Sequence, residues 1–152
     1  MRLGKILSLG ILFAGFAFSN LASADEHNFM TVYKTPYCGC CTGWAEAMSK
    51  AGYSVKIIDL EDLSEIKQLS SVTDELAGCH TAVFGKYILE GHVPLEAIDK
   101  LISEKPDIRG IAAPGMPAGS LGMGYDENAR YDVYAFSEDM SQKPTLFYQA
   151  GN

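Results

Sequence analysis

Apolar residues in this chain follow two alternating periods, and each change of period marks a new element. Phe29-Met30-Thr31-Val32-Tyr33 is a β-branched and aromatic run that predicts a strand, stopped by Thr35-Pro36-Tyr37. Trp44, Ala47, Met48 and Ala51 then fall on the i, i+3, i+4, i+7 face of a helix over residues 42–50, with Gly52 as its stop. Val55-Lys56-Ile57-Ile58-Asp59 predicts a second strand, and residues 63–69 a short helix begun by Asp62. Cys79-His80-Thr81-Ala82-Val83-Phe84 predicts a third strand, which Gly85-Lys86 turns back into Tyr87-Ile88-Leu89-Glu90. Pro94 opens a helix whose apolar face is Leu95, Ile98, Leu101 and Ile102, ending near Lys105-Pro106.

The order is β-α-β-α-β-β-α. Its first strand–helix–strand unit requires a parallel pair and a right-handed crossover. The whole matches an α/β, thioredoxin-like fold, a small mixed sheet with helices on both faces. Residues 110–124 break the pattern with five glycines and two prolines, which predicts a long loop. A loop of about 15 residues without secondary structure is usually functional or disordered. Asp132-Val133-Tyr134-Ala135-Phe136 and Thr145-Leu146-Phe147-Tyr148-Gln149 predict two closing strands, paired as a hairpin. No internal repeat is visible.

The first 24 residues stand outside this pattern. Arg2 and Lys5 precede an apolar run from Ile6 to Phe18, and Ala22-Ser23-Ala24 supplies the small-x-small site that signal peptidase cuts after. The run is short of the roughly 20 residues of a comfortable membrane span. Residues 1–24 are therefore expected to be a cleaved signal peptide, and residues 25–152 a single exported domain with no further span. Removing two basic residues and no acidic ones takes the formal net charge from −7 to −9. That acidity argues against a nucleic-acid surface, which needs clustered Lys and Arg. It decides little else.

Chemistry concentrates in four cysteines, Cys38, Cys40, Cys41 and Cys79. Two disulfides would be the default in an exported chain. Three of the four are crowded within four residues, where bridging geometry is hard to satisfy, so at most one bridge, from Cys79 to the cluster, is expected. Cys38 and Cys41 form a C-x-x-C at a helix start, where exposed N–H groups favour the thiolate, the form that attacks disulfides and binds soft metals. Cys40 tips the balance toward metal, because a third thiol invites scrambled bridges but adds a soft ligand for Cu(I). Zinc fits less well, since structural zinc favours paired C-x-x-C units or Cys/His knuckles. In a thioredoxin-like fold the residues just before the third strand pack against the cysteine turn, which implies that position for Cys79-His80-Thr81 and makes Cys79 and His80 candidate ligands. Met116 and Met123 offer soft thioethers from the glycine-rich segment, Met116 the better placed of the two. His92 is expected to cap or bond the helix that follows it.

Together, Cys38-Gly39-Cys40-Cys41, Cys79-His80-Thr81-Ala82-Val83, Glu90-Gly91-His92-Val93-Pro94 and Pro114-Gly115-Met116-Pro117-Ala118-Gly119-Ser120 resemble successive blocks of the CopG-type copper-resistance proteins. The resemblance spans residues 29–136. It implies a thioredoxin-like periplasmic protein holding a cysteine-bridged multicopper site and interconverting Cu(I) and Cu(II). The matching metal ligands are Cys38, Cys40, Cys41 and Cys79, with His80 and Met116 beside them. Leu121 departs from the pattern, where proline is expected. Two other classes compete: a thiol-disulfide oxidoreductase in which Cys38 attacks and Cys41 resolves, and a passive Cu(I) metallochaperone. Expected partners are copper ions and either a copper exporter or a periplasmic redox protein. The residues leave open whether the chain turns over as a copper oxidoreductase or buffers the metal.

Cleavage after Ala24 would also leave Asp25-Glu26-His27 at the N-terminus, where an amine, two amides and an imidazole can surround Cu(II) in a square plane. Inserting one residue before His27 is expected to abolish a high-affinity Cu(II) absorption band of the mature chain; an unchanged band overturns this site.

Overall fold

Residues 28–151 are described in a computed structural model; the predicted leader and His27 lie outside them. The elements are β1 (Phe29–Lys34), α1 (Gly39–Lys50), β2 (Ser54–Asp59), α2 (Ser64–Leu69), β3 (His80–Phe84), β4 (Tyr87–Gly91), α3 (Leu95–Glu104), β5 (Gly110–Ala113), β6 (Tyr131–Phe136) and β7 (Thr145–Ala150). They build one mixed sheet in the order β2-β1-β3-β4-β5-β6-β7. β1 and β2 are parallel across α1, and β4 and β5 are parallel across α3. The remaining neighbours are antiparallel. The predicted β-α-β-α-β-β-α order holds, and the two closing strands do pair.

Alternation along the strands separates two faces. Met30, Val32, Ala82, Phe84, Leu89, Ile111, Val133 and Ala135 turn to one side, where Trp44, Ala45 and Met48 of α1 meet Ala97, Ile98 and Leu101 of α3. Trp44 is fully buried there and donates its indole N–H to the Val93 carbonyl at 2.8 Å, as a buried indole must find an acceptor. Val83, Ile88, Ala112, Tyr134 and Phe136 turn the other way, toward Val72 and Leu76. On this second side α2 buries no residue of its own. It is tied down by Lys67, which reaches Glu90, and by the Leu69 carbonyl, which accepts from Arg109.

Three expectations need correction. Residues 110–113 form a strand, not the start of a loop. Gly110-Ile111-Ala112-Ala113 is buried throughout between β4 and β6. Small residues with weak strand preference are held there by their neighbours, not by propensity. Helix α1 begins at Gly39, which draws Cys40 and Cys41 out of the preceding turn and into its first turn. The inward face of α3 is Ala97, Ile98 and Leu101, while Ile102 stays 37% exposed at its margin.

Gly110 shows why β5 lacks the usual strand residues. A Cβ there would stand 2.2 Å from the Ile88 carbonyl oxygen, inside the β4 backbone. Gly110→Ala is expected to destabilise the fold by about 2–4 kcal/mol, read as a lowered thermal midpoint by circular dichroism. An unchanged midpoint would mean that β5 does not approach β4 this closely.

Candidate metal centre

The site forms where α1 starts beside the ends of β3 and β4. Cys38 is the N-cap of α1, with extended backbone, and its Sγ accepts from the Cys41 N–H at 3.3 Å. A helix needs such an acceptor for its first free N–H groups. A thiol in this position is exposed to the positive end of the helix dipole.

Cys38 and Cys41 are joined as a disulfide, their Cα atoms 5.3 Å apart, while Cys40 and Cys79 are free. The expectation that any bridge would run to Cys79 is thus corrected. One helical turn brings the i and i+3 Cα atoms within disulfide range, so crowding along the sequence is relieved by the helix itself. Cys38 Sγ lies 3.5 Å from Cys40 Sγ, and Cys41 Sγ lies 3.5 Å from the Cys79 carbonyl oxygen.

Cys79 comes from the opposite wall, just before β3. Burial, with Cys40 next to it, pushes its thiol up to about 12, so the metal-free thiol keeps its proton. Its Sγ lies 2.9 Å from His92 Nε2 and 3.5 Å from His80 Nδ1. His92 Nδ1 stands 2.6 Å from the Leu121 carbonyl. That carbonyl can only accept, so Nδ1 carries the ring proton and the Nε2 lone pair faces Cys79. Burial holds the His92 pKa below the ordinary histidine value, which keeps this ring neutral.

The expectation that His92 caps or bonds the following helix is thus corrected: its ring nitrogens face Cys79 and Leu121, and α3, with Pro94 as its N-cap residue, has no side-chain cap. It is the pocket residue that the sequence reading missed. A signal existed. The β3–β4 pairs, Phe84 with Tyr87 through Thr81 with Glu90, extended by two steps bring Cys79 level with His92.

His80 is fully buried, its ring tilted against Trp44 at 4.5 Å and edge-on to His92 at 5.2 Å between centroids. Burial, then His92 and Lys67, lowers its pKa to about 3. Its Nδ1 is the nitrogen that faces Cys79, while its Nε2 is a buried polar atom without a hydrogen-bond partner. The segment that follows β5 closes the site from above. Gly122, at positive φ, packs so tightly that a Cβ would stand 2.6 Å from the Cys40 carbonyl and 2.7 Å from the Trp44 nitrogen. Met116, next to the pairing of Gly78 with Gly115, is 57% exposed and joins none of the clustered ligand atoms.

Two sets of ligand atoms result, each lying within 4.8 Å of one another: Cys38, Cys40, Cys41 and Cys79, and Cys41, Cys79, His80 and His92. Metal–thiolate bonds of roughly 2.3 Å place two ligands at most about 4.6 Å apart, close to the 4.8 Å within which each set lies. Thiolate and imidazole donors suit soft and borderline metals.

Fold and site together define a mixed α/β protein with a buried cysteine–histidine pocket able to hold a metal. The model described as "Protein of unknown function, DUF411" matches residues 76–123. The solved structure "Copper resistance protein copG- Form 1" is 31% identical, covers 84% of this chain and 100% of its own, and superimposes with a TM-score of 0.74. For "Copper resistance protein copG- Form 2" the identity is 32%, the coverage 80% and 96%, and the TM-score 0.71. No curated protein matches the chain. The chain belongs to the CopG family of copper resistance proteins.

With Cys38 and Cys41 bridged, the oxidised chain, unfolded without reductant, is expected to titrate two thiols, rising to four after reduction. Zero thiols before reduction would mean that Cys40 and Cys79 are bridged as well.

Proposed function

We propose that this chain is a periplasmic copper-binding protein of copper resistance, exported by residues 1–24, that holds copper in a thiolate-bridged site and interconverts Cu(I) and Cu(II). The observation that carries this reading is the sharing of Cys41 and Cys79 between the two ligand sets. A sulfur common to both can bridge two ions, because thiolate carries more than one lone pair. Cys38, Cys40, Cys41 and Cys79 supply soft donors that favour Cu(I), and His80 and His92 supply imidazoles that also suit Cu(II). Copper contributes the one-electron chemistry. Leu121 orients His92 through its carbonyl, the role outer partners play for liganding histidines. Met116, which is exposed, belongs to neither ligand set and would serve entry or exit of the ion. Among the described residues no helix is long and apolar enough to cross a membrane.

The Cys38–Cys41 disulfide favours a second reading, thiol-disulfide exchange. There the bridge takes two electrons and two protons from a partner dithiol, whose own sulfurs become a disulfide. Cys38 is the partly exposed residue and Cys41 the buried one, the arrangement expected of an attacking and a resolving thiol.

Metal analysis of reduced protein prepared without oxygen separates the readings. Two or more coppers per chain, with all four thiols protected from alkylation, are expected. Less than one copper, with a reversible Cys38–Cys41 bridge, would establish exchange instead. Cys79→Ser is expected to lower the copper stoichiometry, and His92→Ala to weaken affinity about 10–100-fold; full retention in both would refute the shared site. Catalysed oxidation or reduction of added copper distinguishes redox turnover from passive delivery to an exporter.

A further inference from the structure

Behind the cysteine pocket, on the opposite face of the sheet, lies a buried charge pair that the copper reading does not use. Glu90 of β4 is fully buried. Its carboxylate accepts from Lys67 Nζ of α2, from Thr81 Oγ1 at 2.6 Å and from the Gly78 N–H at 2.7 Å. Lys67 Nζ in turn donates to the Gly78 carbonyl at 3.0 Å and lies 3.4 Å from Thr81 Oγ1. Both backbone polar groups of Gly78 are thus held by one ion pair, one group by each partner.

Such a pair is a poor way to add stability. Removing two charges from water costs several kcal/mol per ion, and a well-packed apolar pair of the same size often does as well. What an ion pair with all its hydrogen bonds made does supply is a fixed geometry. Here the fixed point is the peptide that precedes Cys79. Gly78 also pairs with Gly115, whose N–H donates to the Ala77 carbonyl at 2.9 Å. It crosses Gly91 so closely that a Cβ on Gly78 would stand 2.5 Å from the Gly91 Cα. No side chain of residue 78 can anchor this segment, so its backbone must be gripped from outside.

We propose that Lys67 and Glu90 are positioning residues that clamp the Gly78 peptide and thereby hold the Cys79 sulfur at the junction of the two ligand sets. They touch no ligand atom. They act through Gly78, and the clamp joins three elements, α2, β4 and the segment entering β3. It explains why α2, which buries no residue of its own, is nevertheless fixed to the sheet by its one lysine. The part of the proposal that concerns copper rests on the proposed function; the placement of Cys79 does not.

The test uses the double variant Lys67→Met with Glu90→Gln, which removes both charges while keeping side-chain size, so that neither partner is left as a lone buried charge. In a Cys40→Ser background with the Cys38–Cys41 bridge intact, Cys79 is the single free thiol. Its alkylation by iodoacetamide is expected to be at least about tenfold faster in the double variant, with far-UV circular dichroism and Trp44 fluorescence unchanged. In the full four-cysteine chain, the double variant is expected to bind no more copper than Cys79→Ser does, and Lys67→Arg alone to retain wild-type binding. A folded double variant whose Cys79 is alkylated within twofold of the control overturns the clamp, whatever its copper content. Should the double variant not fold, hydrogen exchange of the wild-type Gly78 amide decides. Protection equal to that of the β3 amides supports the clamp, and exchange at the rate of an open loop overturns it.

Discussion

Phe84 pairs with Tyr87 and Thr81 with Glu90, so β3 and β4 close around Gly85-Lys86 with no residue to spare. Everything at the site depends on this register. A slip of one residue would carry each side chain of β4 to the other face. Leu89 would then leave the core formed with α1 and α3, and Glu90 would enter that apolar face without Lys67. Both consequences are expensive, so hydrophobic packing on one side and the ion pair on the other enforce the same alignment. Cys79 and His92 meet at the open end of that hairpin because the register allows nothing else.

Burial then gives the pocket its chemical character. Trp44 and the segment around Leu121 and Gly122 wall it, and burial disfavours the charged forms of Cys79, His80 and His92. Cys79 holds its proton, and both histidines are held neutral with a lone pair to offer. Cys79, His80 and His92 are thus neutral donors before any ligand arrives.

The disulfide and the ligand sets draw on the same sulfurs. Cys38 and Cys41 cannot be bridged and also act as thiolates, so oxidation leaves Cys40, Cys79, His80 and His92 as the remaining donors. This is a direct consequence of placing a C-x-x-C inside a larger donor cluster. It ties the donor inventory to the redox state of the chain, by chemistry and not by movement of the fold.

Much of this was written in the local pattern. The periods of two and 3.6 residues located the strands from β1 to β4, the pair β6 and β7 and all three helices. The spacing of Cys38, Cys40 and Cys41 announced thiol chemistry whatever the fold. Likeness to a thioredoxin-like fold placed Cys79 and His80 opposite them. Local pattern failed where a residue's role depends on distant neighbours. The buried Gly110-Ile111-Ala112-Ala113 reads as loop because its small residues are chosen by the closeness of β4 and β6, which no window along the chain contains. Gly39 and Cys40 joined the helix because Cys38 could cap it. His92 read as a helix neighbour in sequence and proved to be a partner of Cys79 in space. The sequence by itself determined which elements form and which donors are present. Only the tertiary structure decided which donors meet, because distance in a folded chain is set by register and packing, and those are collective.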